Sequence, residues 1–178
     1  PLDGSLKIYL SGRYTSEKFN GIEESSSAVL RSGHRHDWMV GGDYIINPAN
    51  RVSASFSYRS KHARRDFYEY LSGKAALSHT FLLGGGHYLL SNLSLEKRLY
   101  GGPDIAVSAE LRKDQITTGR LTYGMPVSTV IGDLLFPEAP HDKVISTLFG
   151  GWTLNLSGEV TVQKSTIATY EYDNIRGQ

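Results

Sequence analysis

The residues with most capacity for chemistry are gathered in Gly33-His34-Arg35-His36-Asp37, where two imidazoles stand beside a carboxylate. Neutral imidazole and carboxylate suit zinc or a similar ion. In a strand His34 and His36 would share a face, yet two histidines with no further ligand at a supporting distance do not make a metal site. A polar strand end accounts for the same residues, so neither a metal nor a cofactor is expected. A hydrolase would need a serine, a histidine and an orienting group on one face. Ser78 and His79 are adjacent and point to opposite faces; His87 and Ser91 are read as sharing neither a face nor a third partner. No Gly-x-Ser-x-Gly element occurs. Gly84-Gly85-Gly86 could cradle phosphate only if a helix followed, and it reads better as a tight turn. Enzymatic activity is not expected.

Of the remaining charges, Arg59, Glu96, Glu110, Arg112, Arg120 and Glu159 fall on the polar side of an alternating pattern. There they would pair across strands or line a passage, and mutual pairing is the simpler expectation. The whole chain of 178 residues carries 19 Lys+Arg against 18 Asp+Glu and no Cys. Disulfides and thiolate metal sites are thereby excluded. A net charge of +1 gives no basic face for nucleic acid.

The elements that must position these side chains are strands. Leu6, Ile8, Leu10, Gly12 and Tyr14 alternate with Lys7, Tyr9, Ser11, Arg13 and Thr15. Comparable runs are Val52 to Arg59, Leu89 to Glu96, Ile105 to Arg112 and Leu154 to Gln163, all of period two rather than 3.6. Turns are expected at Asn47-Pro48-Ala49-Asn50, Gly84-Gly85-Gly86, Lys113-Asp114-Gln115 and Gly150-Gly151. Longer connections are expected near 16–26, 60–65, 99–103, 136–141 and 165–173. The pattern predicts strands near 6–15, 27–46, 51–60, 66–82, 87–98, 104–113, 115–135, 142–149 and 152–164, with another from Asn174: about ten in all. Short and long connections then alternate, as in outer-membrane barrels.

Mean hydropathy is −0.30, but an average is blind to barrels, where only every second residue meets lipid. One face is rich in Leu, Val and Ile, with Trp38, Tyr44, Tyr58, Tyr88, Tyr123 and Trp152 near strand ends, resembling the aromatic girdles of membrane barrels. The other face is Ser, Thr, Asn, Arg and Glu and suits a hydrated lumen. The expected fold is therefore all-β, an antiparallel transmembrane β-barrel of one domain over 1–178, truncated at one or both ends. A soluble barrel, with its apolar residues filling the interior, is the competing fold.

The segment Ser165-Thr166-Ile167-Ala168-Thr169-Tyr170-Glu171-Tyr172-Asp173, with Arg176 after it, resembles the Ser-Asn-Ile-x-x-Tyr-Asp-Tyr-x-x-x-Arg signature of the surface lipoprotein assembly modifier (Slam) family. That signature precedes the last strand of the family's barrel. Thr166 and Glu171 stand where the family has Asn and Asp. His141-Asp142 stands at its Arg-x-Asp, and Gly150-Gly151-Trp152 at its Gly-x-x-Pro turn. Leu99-Tyr100-Gly101-Gly102-Pro103-Asp104 and Leu111-Arg112-Lys113-Asp114 are similar to shorter family phrases. The resemblance implies a larger barrel of about fourteen strands in the bacterial outer membrane, preceded by a tetratricopeptide-repeat region. It implies lipid and a client lipoprotein as partners, delivery of lipoproteins to the cell surface as the role, and Tyr170, Tyr172 and Asp173 as residues ordering the last extracellular loop. A passive porin or uptake channel is the alternative, in which the charged lumen tunes selectivity.

Overall fold

A computed structural model describes residues 4–20, 27–128, 131 and 151–178. The described strands are β1 (Ser5–Glu17), β2 (Gly33–Asn47), β3 (Asn50–Ala63), β4 (Tyr70–Gly84), β5 (His87–Tyr100), β6 (Lys113–Pro126), β7 (Thr153–Ser165) and β8 (Tyr172–Gly177). They form one eight-stranded antiparallel sheet in sequential order. β1 and β8 are its two edges and do not pair with each other. A short helix, α1 (Ser27–Leu30), precedes β2, and single 3-10 turns at Asp66–Tyr68 and Ala168–Tyr170 precede β4 and β8. No helix among the described residues is long and apolar enough to cross a membrane, which bears on helices alone.

Turn chemistry sets the hairpins. Asn47 Oδ1 accepts the Ala49 N–H at 2.9 Å and Asn50 Nδ2 at 3.1 Å, closing the β2–β3 turn around Pro48. Between β4 and β5, Gly84, Gly85 and Gly86 all take positive φ, from 59° to 83°, a region that a side chain makes costly.

The expected strands at 6–15, 51–60, 87–98 and 152–164 correspond to β1, β3, β5 and β7, and the one begun at Asn174 to β8. Others need correction. The stretch 27–46 becomes a strand only at Gly33, because α1 occupies 27–30, and 66–82 only at Tyr70, because Asp66–Tyr68 is a 3-10 turn. The stretch 104–113 is no strand up to Lys113, where β6 begins. Asp104 Oδ1 accepts the Ala106 N–H, and the Asp104 carbonyl accepts from Val107 and Ser108, curling the chain where Ile105, Val107, Ala109 and Leu111 had suggested alternation. Lys113-Asp114-Gln115 is not a turn but the start of β6. β6 ends at Pro126, whose ring leaves no N–H for the ladder. The rest of the expected 115–135 strand lies largely, and the 142–149 strand wholly, outside the described residues, as do His141-Asp142 and the 136–141 connection.

Alternation persists through the sheet as alternating exposure. Leu77, Leu93, Leu95, Leu121, Leu156 and Val160 stay open to the surroundings, while Ser72, Ser94, Glu96, Asp114 and Gln163 are buried. The described elements touch mainly sheet neighbours and add no second layer. The crowding of one face comes from the sheet's own curl together with loop residues that fold over one end, and the polar face is the concave one. Only Ile116 and Ile167 are buried hydrophobics among the described residues.

Candidate functional site

Strand parity divides Gly33-His34-Arg35-His36-Asp37 between two environments. His34 and His36 point to the convex side, where their rings meet edge to face at 5.7 Å, with His62 and Tyr14 beside them. Arg35 and Asp37 turn to the concave side. There Arg35 donates to Glu17 at 2.7 Å and to Asp37 at 2.8 Å, Lys61 reaches Glu17 at 2.9 Å, and Arg59 donates to Asp37. This chain of charges ties β1, β2 and β3 together. Among the described residues no three His, Cys, Asp or Glu side chains converge as a metal site would require. His87 and Ser91 both stand on the convex face, contrary to the expectation, since they are four residues apart in one strand. His87 Nδ1 meets the Tyr123 hydroxyl at 2.8 Å.

Across β5 to β8 the upper concave face is organised by Asp114, whose side chain is closed to solvent. Arg112 Nε donates to both carboxylate oxygens at 3.0 Å, and its Nη2 donates to Oδ2 at 2.6 Å. Further donors are Ser165 Oγ at 2.7 Å, Tyr100 OH at 3.2 Å and Gln163 Nε2 at 3.4 Å. A buried carboxylate is tolerable only when so surrounded. The Arg112 guanidinium lies between the rings of Tyr100, at 4.4 Å, and Tyr170, at 3.6 Å. Ile167 is buried, and its N–H donates to Ser165 Oγ. Tyr172 opens β8 opposite Gln163, Asp173 is exposed opposite Val162, and Arg176 faces Glu159.

Arg59, Glu96, Arg120 and Glu159 all stand on the concave face. Glu96 pairs with Arg98 at 2.6 Å. Arg120 and Glu159 are register partners but form no ion pair; Arg120 reaches Ser157 instead. Glu110 and Arg112 belong elsewhere than on a strand's polar face, because 104–112 is a loop: Glu110 is exposed, and Arg112 reaches the sheet from that loop, at Asp114 and Tyr100. Of the aromatics expected on the apolar face, Tyr88 is on the concave one, its hydroxyl donating to Asn155.

Below the ion pairs lies a hydroxyl-rich hollow of about 800 Å³, bordered by Lys74, Ser78, Asn92, Thr118, Arg120 and Glu159. Ser94 and Thr118 of its lining belong to a register row of small residues, Ser55, Ala76, Ser94, Thr118, Thr161 and Asn174, next to the charged row of Arg120, Glu159 and Arg176. Small neutral side chains leave room for water, and the charges at their border can pair with polar or charged groups. The chain matches no known protein family, curated protein or solved structure.

One arrangement escaped the sequence reading. Tyr68-Glu69-Tyr70 and Tyr170-Glu171-Tyr172 build the same corner twice. In each, a 3-10 turn ends on the first tyrosine and a strand begins at the second. Glu69 Oε1 accepts the Ala63 N–H at 3.1 Å, and Glu171 Oε1 accepts the Ser165 N–H at 3.3 Å. Arg64 N–H donates to the Ser32 carbonyl as Thr166 N–H does to that of Lys113. Arg31 covers Tyr68 as Arg112 covers Tyr170. The recurring Tyr-Glu-Tyr, followed after three residues by Lys74 and by Arg176, was the signal available.

Proposed function

We propose that this chain is part of the wall of a bacterial outer-membrane β-barrel that helps deliver lipoproteins to the cell surface. The observation that carries the reading is the inverted distribution of polarity, with leucines and valines on the open convex face and a hydrogen-bonded polar face inside the curl. Fully burying one such side chain is worth about 1.5–3 kcal/mol, and soluble monomers rarely expose an apolar patch beyond a few hundred Å². A convex face of this kind is at home in hydrocarbon. The span from Leu154 to Val162 falls in the range of about 9–11 residues with which a tilted barrel strand crosses a membrane. Every described buried side-chain nitrogen or oxygen has a hydrogen-bond partner, as a wall between lipid and water requires.

The delivery role rests on the Slam-like wording of Ser165 to Arg176 and on the polar hollow, which offers a wet path along the wall. In this reading Ser165, Ile167 and Tyr170 hold the last loop against β6, and Arg120 and Glu159 face the client. No catalytic step is assigned. A passive channel is the second reading, favoured by the absence of an ion pair between Arg120 and Glu159.

Two measurements test this. The protein should extract from membranes only with detergent, and its removal from cells should strip a lipoprotein from the surface, read by protease accessibility. Extraction in plain buffer would end the membrane reading. Unchanged surface lipoprotein together with steady single-channel conductance in planar bilayers would replace delivery by passive permeation.

A further inference from the structure

The convex face carries a cluster of lysines at the border of the apolar band, with the exposed Asp173 on its β8 side. Lys97 of β5, Lys113 of β6 and Lys164 of β7 are all exposed on that face. Their chain neighbours Glu96, Asp114 and Gln163 are buried on the other. Lys97, Gln115 and Lys164 are consecutive partners in one register row. Strands lie about 4.8 Å apart, so the two lysines flank Gln115 at about 10 Å, and Lys113 stands two residues further along β6, about 7 Å away. None of the three has an ion-pair partner among the described residues. Together with Leu99, Gln115 and Thr166 they border a shallow depression of about 410 Å³.

Two features of the register tell what such a patch meets. The next row on one side is Leu95, Thr117 and Val162, ending on the exposed Asp173 of β8, and beyond it Leu93, Gly119 and Val160, so on β5 to β7 the lysines border the apolar surface directly. The same row continues through Gly73 to Tyr58 and Trp38, both exposed. Trp and Tyr concentrate at the headgroup level of a membrane. Lysine binds phosphate as a compact point charge on a flexible stem, and at the edge of hydrocarbon the attraction is screened less than in bulk water.

We propose that Lys97, Lys113 and Lys164 dock the phosphate of a lipid headgroup against the β5–β7 wall, with the lipid's acyl chains lying on the leucine and valine rows beside them. This rests on the membrane reading above. It also fixes one level of the wall: the end bearing the 3-10 corners is the end at which phosphorylated lipid is held.

The full-length protein in nonionic detergent is titrated with a phosphorylated glycolipid and with its dephosphorylated form, and bound lipid is counted by native mass spectrometry. The phosphorylated form should bind more tightly. Each lysine near a charged surface is worth about fivefold, so K97Q/K113Q/K164Q should lose on the order of a hundredfold for that lipid alone. The matching lysine-to-arginine variant, which keeps the charge, should retain the preference, and an unchanged heat-dependent gel shift confirms that each variant folds. Equal binding of both lipids by the unaltered protein, or undiminished binding by K97Q/K113Q/K164Q, would overturn the proposal. So would displacement of the lipid by inorganic phosphate at equal concentration, which would assign the lysines to a free anion. Failure of the membrane reading is recognised separately, because that protein would not insert into vesicles of neutral phosphatidylcholine.

Discussion

Asp114 accepts hydrogen bonds from Arg112, Ser165, Tyr100 and Gln163, residues that come from a loop and from two further strands. Its charge is therefore part of how β5, β6 and β7 are held at one end. Asp114→Ala should lower unfolding stability by about 3–5 kcal/mol, because it leaves a half-buried guanidinium without its anion. Tyr170→Leu, which removes only one face of the aromatic sandwich, should cost about 0.5–2 kcal/mol. Urea unfolding followed by tryptophan fluorescence would read both, and equal midpoints for the two variants would refute this ranking. The sequence showed Ser165, Ile167 and Tyr170 as a phrase with a family likeness, but nothing in it joined that phrase to Asp114. The partners lie far apart in the chain, and only the β6–β7 pairing brings Asp114 opposite Ser165.

Strands were legible where side chains alone decide them. The alternation in Leu6 to Thr15 and Leu154 to Gln163 survives intact because each residue there has a ladder partner on at least one side. It misled at 104–113, where the Asp104 side chain and carbonyl bind the backbone ahead of them before any ladder can form. Register depends also on residues that the alternation cannot weigh. A Cβ on Gly124 would stand 2.1 Å from the Tyr88 ring, and one on Gly12 would stand 2.7 Å from the Trp38 ring. Each glycine thus lets an aromatic on the adjacent strand lie flat across it. Gly124→Ala should cost about 1–3 kcal/mol by overpacking, and Tyr88→Ala in the same chain should recover part of that loss. Additive losses in the double variant would mean that the ring and the glycine do not share the space.

At the level of the whole sheet, two adjacent residues separate the faces. Under the membrane reading, Leu93→Arg places a charge in hydrocarbon and should cost about 2–4 kcal/mol in a vesicle unfolding titration. Asn92→Arg, one residue earlier on the concave face, should change little. If both behave alike, the two sides of the sheet do not meet different solvents. Polarity of the two faces was readable from the chain; its expected placement, polar inside, came from the aromatic and aliphatic make-up of the apolar face, because alternation is the same for a sheet bent either way. The twice-built Tyr-Glu-Tyr corner has a consequence of its own. Each copy ties a hairpin to the strand that follows it, Glu69 holding the Ala63 N–H and Glu171 that of Ser165, so the repeating unit is a strand pair with its corner. Sheet width in such an architecture is adjustable by duplication, in whole units, while the corner chemistry is inherited unchanged.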